Sequence, residues 1–164
     1  MRSSYLLILL ATFLLLGCSK EDEPETGYSP VLMLREDLLK SISLEAPQPI
    51  GNWGKIYTFK NRLFVIEDTR GVHLIDNSDA NNPENLAFIR IPGIMDLAVR
   101  DGIIYADNAV DLVSLRYENG VLQLLYREQD VFPEIVAPDL GRIPDRYLPE
   151  NRPANTVIVR WEKR

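Results

Sequence analysis

Phe59-Lys60-Asn61-Arg62-Leu63-Phe64-Val65-Ile66-Glu67 lies over Val99-Arg100-Asp101-Gly102-Ile103-Ile104-Tyr105-Ala106-Asp107 at a constant offset of 40 positions, from Phe59 to Val99. Each stretch is an apolar run of strand-forming residues led in by two or three turn-forming ones, so each reads as a tight turn followed by a strand. At the same offset Val72-His73-Leu74-Ile75 lies over Leu112-Val113-Ser114-Leu115. A period of about 40 residues with four strands per unit is the mark of propeller-type blades.

Working outward, the first unit is expected to hold strands at 56–60, 63–67, 71–76 and 86–91, joined by Asn61-Arg62, by Asp68-Thr69-Arg70 and by a long loop carrying Asn81-Asn82-Pro83. Connections this short force antiparallel neighbours. The second unit closes with a strand at 121–127 after the Asn119-Gly120 hairpin turn. The fold class expected is all-β: a partial β-propeller of two four-stranded antiparallel blades at 55–130, preceded by one short helix. That helix is expected in 31–42, where Leu34, Leu38 and Ile42 recur every four residues and Glu36 precedes Lys40 by four. Pro47 and Pro49 end it, and 31–54 forms helix and connector. Across 131–164 five prolines, Pro133 to Pro153, break regular structure, leaving 156–161 as a last strand.

The N-terminus reads as an address. Arg2 is followed by an apolar run from Tyr5 to Leu16, short of the roughly 20 residues that span a bilayer. Leu15-Leu16-Gly17-Cys18 resembles the lipobox of bacterial lipoproteins, which implies a signal peptide at 1–17 and a lipidated Cys18 that anchors the chain to a membrane. An acidic tether follows within 18–30. Its Lys20, Glu21 and Asp22 resemble the export signal of surface lipoproteins of the Bacteroidetes, which implies an outer-membrane lipoprotein that is surface-exposed or, failing export, faces the periplasm.

Val72-His73-Leu74-Ile75-Asp76-Asn77-Ser78-Asp79 with Asn82-Pro83 resembles the LVIVD repeat, from which Asn77 and Ala80 depart. Pro30-Val31-Leu32-Met33, Ala46-Pro47-Gln48-Pro49, Gly54-Lys55-Ile56-Tyr57 and Tyr105-Ala106-Asp107 extend the likeness to a family of Bacteroidetes lipoproteins that carry such repeats. The resemblance runs from Cys18 to Phe132. It is to an N-terminal portion of longer chains that continue into more blades, which implies that the strand at 156–161 leads into a further blade, so a truncated form of such a protein is one reading of this sequence.

The inventory excludes several chemistries. One cysteine and one histidine supply neither an internal disulfide nor a Cys/His zinc site, and no cofactor or metal is expected. A net charge of −6 without a Lys/Arg run argues against nucleic acid. His73, alone in mid-strand, reads as a packed or solvent-facing residue with its side chain opposite Val72 and Leu74. Asp76 to Asn82 is oxygen-rich but lacks the glycine and glutamate of an EF-hand loop, so its side chains are expected to cap their own backbone. Trp53 and Trp161 are expected to be buried.

Glu67 and Asp107, at equivalent strand ends, are candidates for a polar rim. The expectation is therefore a non-enzymatic binding module with a protein or glycan ligand. The alternative is a polysaccharide hydrolase or lyase using Glu67 and Asp107 as acid and base. Two blades bury only one shared interface, so the chain is expected either to be a truncated form of a longer protein or to self-associate through its open faces.

Overall fold

The computed structural model describes residues 25–164; the signal peptide, the lipobox Leu15, Leu16 and Gly17, Cys18, and Lys20, Glu21 and Asp22 lie outside the described residues. In chain order the elements are β1 (Tyr28–Leu34), α1 (Arg35–Leu38), β2 (Ser43–Glu45), β3 (Trp53–Phe59), β4 (Arg62–Glu67), β5 (Gly71–Asp76), β6 (Glu84–Arg90), β7 (Leu97–Arg100), β8 (Ile103–Asn108), β9 (Asp111–Glu118), β10 (Val121–Glu128) and β11 (Thr156–Lys163), with a single 3-10 turn at Asp145–Tyr147. The fold is all-β and every strand pairing is antiparallel.

Turn chemistry sets the meanders. Asp101-Gly102 and Asn119-Gly120 take positive φ at both positions (52° and 79°, 51° and 76°), the geometry whose twist matches that of the strands they join. Lys60 and Thr69 take positive φ in the two turns flanking β4. The second sheet then has the order β10-β9-β8-β7, the four strands expected of one unit.

The first sheet has five strands, β2-β6-β5-β4-β3. Its extra strand places Ser43, Leu44 and Glu45 opposite Arg90, Ile89 and Phe88. Three residues are too few to show a period of two, and β2 forms because β6 offers it a free edge.

The helix expected over 31–42 shrinks to the four residues of α1, and Val31 to Leu34 lie in β1. A short isolated helix is marginal, whereas β1 gains a seven-residue ladder with β11, from Tyr28 opposite Lys163 to Leu34 opposite Thr156. Leu38 keeps the role its spacing implied, fully buried with Ala109, Val110, Val157 and Val159.

β11 is present as expected, but it pairs with β1 instead of opening a further unit. Its other edge is occupied: Ile158 N–H donates to Glu134 Oε1 (3.2 Å), and Arg152 donates to the Thr156 carbonyl (3.0 Å). Glu134 and Arg152 also pair with each other. An ion pair thus satisfies the backbone groups that another strand would need.

The two larger sheets share one core. Alternate residues of β4 and β5 (Phe64, Ile66, Val72, Leu74) meet those of β8 and β9 (Ile104, Ala106, Val113, Leu115), with Ile91 and Ile94 of the connecting segment between them. The outward face of the first sheet is also buried, since Val65, His73 and Phe88 are at most 5% exposed. The outward face of the second sheet is open, with Tyr105 and Tyr126 exposed. Of the two open faces expected, one is therefore covered. Trp53 departs from its expected burial because it begins edge strand β3 beyond a register shift, while Trp161 donates to the Ile135 carbonyl (2.8 Å) and packs edge-on against Tyr147.

Candidate functional site

Where β4 and β8 end, the segment 91–96 ties the two sheets together. Thr69 N–H donates to the Ile94 carbonyl (2.7 Å), and Gly93 N–H returns to the Thr69 carbonyl (2.9 Å). Gly93 has φ +81°, and a Cβ there would lie 2.7 Å from Ala109, so the β4–β5 and β8–β9 turns close on this segment only because it is glycine.

The two carboxylates expected to share a rim are engaged separately. Glu67 is 3% exposed, lies 3.1 Å from His73 Nε2 and accepts from Arg70. His73 is fully buried with its ring tilted against Phe88, and its Nδ1 has no partner. Its side chain points away from the inter-sheet core, as its strand position requires.

Asp107 instead accepts from the backbone N–H groups of Met95 (3.0 Å) and Asp96 (2.9 Å), and burial raises its carboxyl above the ordinary value. Asp96 in turn receives Lys55 Nζ (2.6 Å) and the Tyr57 hydroxyl, and the Lys55 hydrogen bond holds its carboxyl below the ordinary range. Glu67 thus serves the outer face of the first sheet, while Asp107 fixes the inter-sheet segment.

The opposite end of the sheets is open. A groove of about 660 Å³ separates the β3–β4 turn from the β7–β8 turn, the two turns related by the 40-residue offset. Phe59 and Phe64 from the first sheet and Val99, Ile104 and Tyr117 from the second form its apolar walls. Arg62, Lys60 and Glu118 line it as well. The Arg62 guanidinium lies 5.3 Å from the Tyr117 ring centre, and Lys60 Nζ lies 5.4 Å from that of Phe59.

Asp76 also lines the groove, and its carboxylate receives Ser78 N–H (2.8 Å) and Ser78 Oγ (2.6 Å), which lower its pKa. Asp79 likewise caps Asn81 N–H (2.9 Å). The oxygen-rich loop therefore turns these side chains onto its own backbone, as expected. Arg62, Lys60 and Tyr117 carry no motif. The signal that could have found them is the repeat, which sets the two turns side by side.

Comparison with models of known families, with curated proteins and with solved structures returned no match for this chain. No helix among the described residues is long and apolar enough to cross a membrane.

Proposed function

We propose that the chain is a lipid-anchored, extracytoplasmic module of propeller-like repeats that binds a ligand without transforming it. The observation that carries the reading is the amphiphilic groove between the two equivalent turns, about 660 Å³ and within the range of small-molecule sites. Two antiparallel sheets with equivalent strands one period apart, packed face to face, support the description as neighbouring blades. The anchor at Cys18, the lipobox Leu15-Leu16-Gly17 and the export signal Lys20-Glu21-Asp22 rest on the sequence resemblance, which makes the chain an outer-membrane lipoprotein at the cell surface.

The hydrolase alternative is weaker. A glycosidase needs two carboxylates facing one cleft at roughly 5–9.5 Å, whereas Glu67 is buried against His73 and Arg70, and Asp107 is spent on two backbone N–H groups. A thermal-shift screen of neutral, anionic and cationic fragments tests the groove reading. It expects stabilising fragments whose effect disappears in Val99→Arg, and hits indifferent to that variant refute it. Labelling with a radioactive fatty acid, lost in Cys18→Ser, tests the anchor.

One observation favours a second reading beside it, that the module associates with another copy. The outward face of the second sheet leaves Tyr105 and Tyr126 in water (38% and 60% exposed). Light scattering across a concentration series distinguishes a monomer from a dimer.

A further inference from the structure

The groove is lined by two cations, Lys60 and Arg62, and two carboxylates, Asp76 and Glu118, and the way the cations are held narrows its ligand, an inference that rests on the binding reading above. Arg62 stands opposite Asp76 in the β4–β5 ladder, where a cross-strand ion pair is the ordinary outcome. The Asp76 carboxylate is turned to Ser78, and the Arg62 guanidinium lies across the groove over Tyr117 of the other sheet. Lys60, two residues earlier, lies over Phe59. Neither cation makes an ion pair among the described residues. Ring faces hold both cations in place while leaving N–H donors for a ligand acceptor.

We infer that the groove takes a molecule with a carboxylate next to an apolar body, the carboxylate on Arg62 and Lys60 and the apolar part against Phe59, Val99 and Tyr117. A guanidinium matches a carboxylate with two parallel N–H···O bonds, stronger than any it makes to a neutral group. The apolar walls reward a body that leaves water, which a bare inorganic anion lacks. Two sources present this chemistry, a free organic acid and a peptide ending in an apolar residue.

The test is calorimetric titration of the full chain in lipid nanodiscs, with empty discs as the blank. The probes are 3-phenylpropanoate, a tripeptide ending in Phe with a free carboxylate, and the amides of both. The inference expects each acid, or one of the two, to bind about tenfold or more tightly than its amide. It expects Arg62→Gln to erase that difference, and added salt to shrink it. The stronger binder of the two acids identifies the source. If amides bind as well as acids and lose binding in Val99→Arg, the carboxylate inference fails and the groove reading stands. If acids outbind amides equally in Arg62→Gln, the assignment to Arg62 is overturned. If no probe binds, the inference fails, and the groove reading is then judged by the wider fragment screen.

Discussion

Asp111 offers the sharpest test of what holds the ends of the chain to the second sheet. It is fully buried at the start of β9, with Arg35 Nη2 at 2.7 Å, Arg127 Nη1 at 2.6 Å and Asp130 N–H donating at 3.2 Å. Arg127 is 9% exposed and also donates to the Leu38 carbonyl at 3.3 Å. Asp111→Ala leaves the Arg127 charge buried without its carboxylate, a change that costs about 3–5 kcal/mol. Against an ordinary domain stability of about 5–15 kcal/mol this is a large share.

Arg35 contributes less, because its side chain is 20% exposed and keeps Asp130 at 3.2 Å. Urea unfolding followed by tryptophan fluorescence reads the effect: for a slope of about 2 kcal/mol per molar, the midpoint falls by about 2 M. Replacing both partners, Asp111→Leu with Arg127→Met, restores most of the loss, since an apolar pair of similar volume needs no compensating charge. A midpoint shift below about 0.5 M for Asp111→Ala, on the same slope, refutes the reasoning. So does a double variant no more stable than the single one.

Glu134→Ala strips the guard from β11, leaving Arg152 unpaired and the Ile158 N–H open; static light scattering then shows more association than the parent chain at the same concentration. Gly71→Ala drives a Cβ to 2.2 Å from the Ile89 carbonyl and costs about 1–3 kcal/mol. Gly102→Ala meets open space and costs only the left-handed backbone penalty, about 1 kcal/mol, so thermal melts should rank the two in that order. Asp107 and Asp96 give opposite pH slopes. The raised carboxyl of Asp107 binds its proton more tightly folded than unfolded, so its contribution to stability falls as pH rises from the ordinary carboxylate range through the raised value. The depressed carboxyl of Asp96 contributes stability above the ordinary range and loses it as pH falls through its lowered value. Melting temperatures of Asp107→Asn and Asp96→Asn over about pH 3 to 6 check both signs.

The strands β3 to β10 and their antiparallel order were legible along the chain, because each is specified by neighbours in sequence: alternation, a turn dipeptide, a loop too short for any other connection. Asp101-Gly102 and Asn119-Gly120 took the geometry their residues demand. The folded state alone settled what depends on partners far away. Val31 to Leu34 left the expected helix because β11 supplied a ladder more than a hundred residues later, and β2 formed because β6 had an edge to offer. The candidate site divides the same way. Glu67 and Asp107 were visible as equivalent positions, but burial and hydrogen-bond partners, which no local pattern encodes, closed both of them off. Arg62 read only as half of the Asn61-Arg62 connector. Only the packing of one sheet against the other placed Tyr117 under its guanidinium, since contacts between repeats depend on three-dimensional proximity that spacing along a chain does not carry.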